Sequence, residues 1–439
     1  MEELTIFFGT NFLLIIGFVL AFIFLFLGIG SLKKKRLIDD VPTSKIKGVF
    51  IGLVELFVKT KPCNLKRSYV SETECVYYDY TISEQVREKR TVTYRDSKGR
   101  TRTKTKTVYV WKNVDSGGNA DPFFVYDDTG EIRVDPYKAK VEAVPVCDIT
   151  CGRNDPLYFS KGPETEFFNS THRRRFVEYA IKPEEELYIM GQARERIDAV
   201  APEIAYDEFA SMFLISHKSE ERITKGLKLK NIGFLIASMA AIIILSVVHS
   251  GYEPLAYRYY GTVNFSALLL PTLIVATGWF ILWFITVYNS LRRLKNSVVQ
   301  AEKQIDILLK RRYDLIPNLV NTVRGMAKYE KETLELATKL RSEFKAKNTQ
   351  DTLGIIIERY PDLKSNSSFK SLNKELVDTE NRIELARNYY NNVCTFFNTR
   401  LTTFPDMVIA KMTGLKSFEL FKFSQTEGAN DTEIDLGQK

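Results

Sequence analysis

Four groups of residues have types and spacings that could support chemistry. Asp128-Thr129-Gly130 has the form of one half of a two-carboxylate peptidase site, but that chemistry needs two carboxylates sharing a proton, and the chain holds no second copy. An apolar run leads straight into the triplet, so it reads as a hairpin turn. Cys147 and Cys151 are the only cysteines near metal-ligand spacing. With His172, His217 and His249 scattered, they read as ordinary thiols in a chain of five cysteines and no disulfide framework. His172-Arg173-Arg174-Arg175 could hold a phosphate and is read instead as a solvated charge run. No nucleophile paired with a base and no phosphate-cradling glycine loop is present, so neither catalysis nor a cofactor is expected.

The most informative group is Arg100-Thr-Arg102-Thr-Lys104-Thr-Lys106. Strand residues alternate faces, so these four cations fall on one face. Arg87, Lys89, Arg90, Arg95 and Lys98 add charge on the opposite arm of the hairpin. Anionic head groups would be attracted at about 1 kcal/mol per basic residue close to a membrane surface. An acidic protein would serve as well, and nucleic acid, the weaker partner, would also satisfy the charge. A solvated hairpin face whose charges block edge pairing stands beside these readings.

The elements that must carry these residues are of three kinds. The 439 residues hold 62 Lys and Arg against 54 Asp and Glu, a formal charge of +8, but the charge is unevenly spread. Apolar stretches at 4–29, 232–248 and 265–287 are read as transmembrane helices, the last two as a hairpin with Tyr252, Tyr257, Tyr259 and Tyr260 in its link. A cleavable signal peptide would place its basic residues ahead of the first stretch, whereas here they follow it. Lys33 to Arg36, Lys225, Lys228, Lys230, Arg292, Arg293 and Lys295 flank the stretches, while the link holds only Arg258. The cation bias predicts a multi-pass protein of the cell membrane with its amino terminus outside and both large segments cytoplasmic.

Residues 40–220 read as a β-rich domain, mainly antiparallel, with turns at Ser97-Lys98-Gly99 and Asp128-Thr129-Gly130. Cys75-Val76-Tyr77-Tyr78, Trp111, Phe123 to Pro136 and Glu178 to Ala193 resemble the GIDE-type "beside-a-membrane" (BAM) domain. The resemblance implies a module next to transmembrane helices, as in membrane-anchored ubiquitin ligases. Those ligases carry a RING, and this chain has no Cys/His array to build one, so ligase activity is not implied.

From 288 the period changes to that of a helix. Leu291, Leu294, Val298, Ala301, Ile305, Leu308, Arg312, Leu315 and Leu319 form one seam, with Pro317 predicting a bend or a break. Phe369, Leu376, Ile383, Tyr390 and Phe397 fall seven apart, with Leu372, Thr379, Ala386 and Val393 between them, and predict a second long helix. Shorter amphipathic stretches lie at 330–345 and 352–359. Arg312 on the seam requires a carboxylate, Glu375 or Glu380. Asn381, Asn391 and Asn398, with Tyr389 and Tyr390, read as helix-surface and core residues. Tyr288-Asn289, Lys310 to Val320, Tyr360-Pro361, Asp378 to Asn391, Phe397-Asn398 and Phe404-Pro405 are similar to the LemA family. That resemblance implies a membrane-anchored antiparallel helical bundle over 288–422, similar to a component of magnetosome-forming membranes, with no enzymatic activity. The polar segment 423–439 is expected to be disordered.

The expected whole is a multi-domain α+β membrane protein with three transmembrane helices. Its expected role is non-enzymatic scaffolding or membrane organisation, with the bundle, including Tyr389, Phe396 and Phe397, packing against further copies of itself. The alternative is a membrane-bound signalling or stress-response adaptor that recruits a soluble effector through the GIDE-like domain.

Overall fold

The computed structural model describes residues 2–95, 100–196, 201–208, 210, 212–251, 265–326 and 367–421. The hairpin tip with Lys98, the 252–264 link, the stretches at 330–345 and 352–359, Tyr360-Pro361 and the tail from 423 lie outside the described residues. The chain divides into two compact units. One comprises Thr43–Ile223, the other Met1–Pro42 with Thr224–Lys439.

The first unit is β-rich. A mixed eight-stranded sheet runs in the order β1 (Thr43–Ser44), β2 (Gly52–Thr60), β7 (Phe123–Tyr126), β8 (Glu131–Val134), β13 (Pro202–Ala205), β12 (Glu186–Glu195), β14 (Leu214–Ser216), β9 (Lys140–Glu142). Because β2 also pairs along β12, five of these strands close on themselves, and closure leaves them no free edge. Their alternate residues Val54, Leu56, Val58, Val125, Ile132, Val134, Leu187, Ile189 and Ile204 fill the interior. The pairs β1–β2, β8–β13 and β9–β14 are parallel and the remaining pairings antiparallel, in keeping with a mainly antiparallel domain. A second, antiparallel sheet runs β10 (Val144–Gly152), β11 (Ser170–Ile181), β5 (Tyr77–Arg95), β6 (Thr101–Asn119), while β3 (Lys66–Arg67) and β4 (Glu74–Cys75) form a short pair.

The triplet Asp128-Thr129-Gly130 is the turn between β7 and β8. Asp127 shapes it: its Oδ1 accepts from Thr129 N at 2.7 Å, Gly130 N at 3.0 Å and the Thr129 hydroxyl.

The second unit is helical. Among the described residues three helices are long and apolar enough to cross a membrane, within α1 (Glu2–Asp39), α3 (Glu220–Gly251) and α4 (Phe265–Met326); the five-residue α2 (Pro156–Ser160) belongs to the β unit. The helices outrun the apolar stretches, so the cations at 33–36 and 225–230 are helical rather than linking. Ala21 and Leu25 of α1, Ile242 of α3 and Val275 of α4 pack together. Small residues allow the close approach: a Cβ added at Gly17 would sit 3.1 Å from Leu245 Cβ, and one at Gly28 3.3 Å from Phe234 Cβ. Polar side chains cross the same interface, with Ser238 Oγ donating to the Ala21 carbonyl and Asn231 Nδ2 to that of Gly28, both at 2.8 Å.

The 62-residue α4, roughly 90 Å at 1.5 Å per residue, continues unbroken through Pro317. Its seam residues Leu294, Val298, Ala301, Ile305 and Leu308 pack on α5 (Ser367–Thr402) at Ile383, Ala386, Tyr390, Val393 and Phe397. The heptad residues of α5 other than the partly buried Leu372 are buried, and Cys394 joins them. A seven-residue helix, α6 (Asp406–Met412), follows; residues 413–414 form the turn that closes it, and 415–421 have no regular secondary structure.

Candidate functional site

The basic hairpin is a ribbon. β11 pairs with β5 only as far as Val86; beyond it, β5 and β6 pair with each other alone among the described residues, for roughly 27 Å at about 3.3 Å per residue. An isolated two-stranded ribbon is marginally stable, and the Thr91–Thr105 and Thr93–Thr103 pairs supply β-favouring contacts along it. Register decides which cations share a face. Arg102, Lys104 and Lys106 stand opposite Tyr94, Val92 and Arg90, so these six make one face, four cations around two exposed apolar side chains. Arg87, Lys89 and Arg95 do not join that comb: they pair with Tyr109, Thr107 and Thr101 and lie on the reverse face. Arg100 precedes β6. Directly paired residues differ by an even number, so even-numbered cations share one face of the ribbon and odd-numbered ones the other. Arg90 directly opposite Lys106 is a like-charge pair, unfavourable without a nearby anion; Glu88, 3.5 Å from Arg90, is also held by Lys112 at 2.9 Å.

At the foot of the ribbon the solvated reading of His172–Arg175 fails for one residue. Arg174 is fully buried against Glu84, also fully buried, with Nε 3.1 Å from Oε2. Its remaining donors go to the carbonyls of Tyr158 and Pro163, each at 2.8 Å, and Thr165 at 2.9 Å, while its plane lies 4.2 Å above the Tyr158 ring. One guanidinium therefore pins the loop that ends in Phe167 and Phe168. The Phe168 side chain is wholly exposed. Arg175 instead forms a two-bond pair with Asp148 at the surface, and His172, at φ +56°, has Nδ1 3.0 Å from Glu166 Oε2. The buried face of β11 reads Arg174, Phe176, Glu178, Ala180, an alternation that sequence patterning missed because two members are charged.

Two partly or fully buried carboxylates of this unit, Glu178 and Glu142, are held ionised. Burial alone would raise Glu178, but donors from Ser71, the Val70 backbone and Ser68 outweigh it and lower its pKa. Burial likewise opposes Glu142, which Lys140 and Lys218 bring from 4.5 down to about 2. A carboxyl depressed on folding contributes stability above its unfolded pKa and loses it as pH falls through the folded one. The β unit is therefore expected to weaken between about pH 4.5 and pH 2, and Glu142→Gln to flatten that decline. Denaturation midpoints equal in parent and variant across that window would contradict the assignment.

The helical unit has two polar constellations. Arg312 Nε lies 2.7 Å from Glu380 Oε1, both partly exposed, so Glu380 is the carboxylate that answers it. The second constellation was not foreseen. Asp40, at the end of α1, accepts from Ser290 Oγ at 2.6 Å and Arg400 Nη1 at 2.9 Å, with Arg293 at 3.6 Å. Asp406 accepts two bonds from Arg36, at 2.9 and 3.0 Å, and one from Arg400 Nε. Both acids are buried. Burial pushes Asp40 upward against the opposing pull of Arg400; for Asp406 burial is outweighed by Arg36 and Arg400, and its pKa falls. The cluster joins α1, α4, α5 and α6, residues 36 to 406, and only a signal across the whole chain could have exposed it.

Of the aromatic residues expected to offer an assembly surface, Phe397 is occupied by its own chain. Phe397 and Tyr390 are buried with Ile383 in the bundle core, and Phe418 and Phe421 pack on the first two at 5.6 and 4.8 Å between ring centres. Asn398 clasps the peptide of Phe418, donating at 2.8 Å and accepting at 3.0 Å; Asn391 does the same for Phe421, at 3.1 and 2.8 Å. Tyr389 is partly buried, and Phe396 remains exposed.

Comparison with known proteins gives two family matches, one towards the carboxy-terminal helices and one that runs from the β unit into α3. Residues 301–436 match the model of the LemA family. Residues 89–249 match the GIDE model, described as an E3 ubiquitin ligase. Among curated proteins the chain is 25% identical to protein LemA of Metamycoplasma hominis over 169 residues, 35% of this chain and 77% of that protein. It is 33% identical over 87 residues to magnetosome proteins MamQ of Paramagnetospirillum magneticum and Magnetospirillum gryphiswaldense, 20% of this chain and 31% of theirs. The chain thus spans under a third of the length of the MamQ proteins. No solved structure matches. Three span-length apolar helices together with these relatives make this a membrane protein. Among the described residues no group of three or more His, Cys, Asp or Glu is placed to hold a metal ion, so the zinc sites of a RING have no counterpart there.

Proposed function

We propose that the protein is a non-enzymatic membrane organiser, crossing the bilayer three times with the β unit and the helical bundle both on the cytoplasmic side. In this reading the ribbon engages an anionic surface while the bundle associates with further copies. The ribbon carries the proposal: it is exposed on both faces, clusters Arg90, Arg102, Lys104 and Lys106 around Val92 and Tyr94, and belongs to a unit whose chain continues at both ends into span-length helices. Amphipathic cations beside exposed aromatics suit a headgroup layer better than open water. The names of the MamQ relatives, magnetosome proteins, accord with a role in membrane organisation.

Full-length protein in neutral proteoliposomes, β unit outward, should capture anionic vesicles but not neutral ones. Capture should fall with salt, as screening requires, and fall at least tenfold in the Arg102→Glu, Lys104→Glu, Lys106→Glu variant. Equal capture of neutral vesicles would contradict the lipid reading. Self-association should appear as masses above that of one chain in native mass measurement from mild detergent; a lone chain at every concentration would contradict it.

A second reading has its own support. Phe168, presented by a loop pinned through Arg174, together with the ubiquitin-ligase family match, favours an adaptor that docks a soluble protein there. Stoichiometric capture of one soluble partner, abolished by Phe168→Asp, would favour it over self-assembly.

A further inference from the structure

The helix α6 carries an apolar stripe on its outer side. Phe404 is 76% exposed, Val408 45% and Met412 71%. Val408 and Met412 lie one turn apart on α6, and Phe404 precedes them by the same step in the turn that leads into it. The inner side is packed: Ile409 and Ala410 lie against Val287 and Leu291 of α4, flanked by Trp283, Phe284 and Tyr288. Apolar side chains of this size are more stable buried than left in water.

Two helices within the same unit fix the level at which this stripe lies. On α4 it is the end of the apolar stretch 265–287, where exposed Phe280, Ile281 and Ile285 give way within two turns to Arg292 and Arg293. On α1 it is Arg36, which closes the Lys33–Arg36 run after the first apolar stretch and grips Asp406 at the start of α6. Aromatic residues followed by cations mark the boundary between hydrocarbon and water. The stripe is therefore level with the last residues of two spans, while exposed Lys411 and Lys416 lie beside it in sequence.

We propose that α6 and its preceding turn form an interfacial anchor, with Phe404, Val408 and Met412 immersed at the headgroup–acyl boundary of the leaflet adjoining the bundle. The occupant of the stripe is lipid, argued from its continuity with the exposed apolar surface of α4. Short segments of this kind lie in the interface plane rather than crossing it. The anchor would fix the depth of the bundle's root and occupy area in one leaflet only. This inference rests on the membrane-spanning reading but not on lipid binding by the ribbon.

The test is spin-label accessibility of the full-length protein, one copy per nanodisc, in a Cys63→Ser background. Labels go at Val408→Cys, Met412→Cys, Ile281→Cys and Glu384→Cys. Labels at 408, 412 and 281 should collide with oxygen at least several-fold more than with a water-soluble nickel chelate, and the label at 384 should show the reverse. If 281 behaves as lipid-exposed while 408 and 412 are nickel-accessible, the anchor is overturned and the spans stand. If 281 is also nickel-accessible, the membrane-spanning reading itself fails. Labels at 408 and 412 that are nickel-accessible in single-copy discs, but shielded and dipolar-broadened when two copies share a disc, would assign the stripe to a second chain and overturn the proposal.

Discussion

Asp40→Ala is expected to destabilise the helical unit by about 3–5 kcal/mol, because removing one partner of a buried ion pair leaves the other charge uncompensated. Arg400 would lose its Asp40 bond while still facing Arg36 across Asp406, and the Ser290 hydroxyl would lose its acceptor. Thermal unfolding in detergent would report the loss. A double-mutant cycle with Arg400→Ala separates the pair from its surroundings. Coupling above about 1 kcal/mol is expected, and coupling near zero would mean that the cluster merely coexists with the helix packing. Asp406→Ala should behave alike, since α6 has no side-chain N-cap and Asp406 is its tie to α1.

Arg174→Lys is expected to be nearly as damaging to the β unit as Arg174→Met, at about 3–5 kcal/mol each. The guanidinium serves four acceptors lying in different directions, Glu84 and the carbonyls of Tyr158, Pro163 and Thr165; an ammonium has three donors at a single point and no planar fork. Hydrogen exchange should accelerate across residues 156–169 in both variants while the barrel strands β2 and β12 stay protected. A lysine variant with parent-like protection of that segment would show that the pair with Glu84 suffices and that the carbonyl contacts contribute little.

These two sites also show what could be read from the residues and what could not. Local periodicity was legible: the heptad of α5 and the seam of α4 are the residues that meet in the bundle. Solvation made the three apolar helices legible, and chemistry narrowed the partner of Arg312 to two acids, of which Glu380 answers it. The strand β11 was obscured because Arg174 and Glu178 occupy inward positions that a period-two pattern reserves for apolar residues. The faces of the ribbon depend on pairing register, which one strand cannot specify, and so Arg87, Lys89 and Arg95 were grouped with cations they do not accompany. Phe397 reads from sequence as contact surface, but Phe418 packs on it and the bundle core buries it. The Asp40–Asp406 cluster joins residues hundreds of positions apart, beyond any local pattern.

Holding the β unit and the bundle on one side of a bilayer is the claim on which their joint action depends. Labelling single cysteines in intact cells with an impermeant maleimide tests it most directly, at native Cys63 in the β unit, Lys416→Cys beside the bundle and Ala256→Cys in the link between the second and third spans. The expected result is labelling of 256 in intact cells and of 63 and 416 only after permeabilisation. Labelling of 63 and 416 from opposite sides, or of 256 from the same side as both, would contradict it.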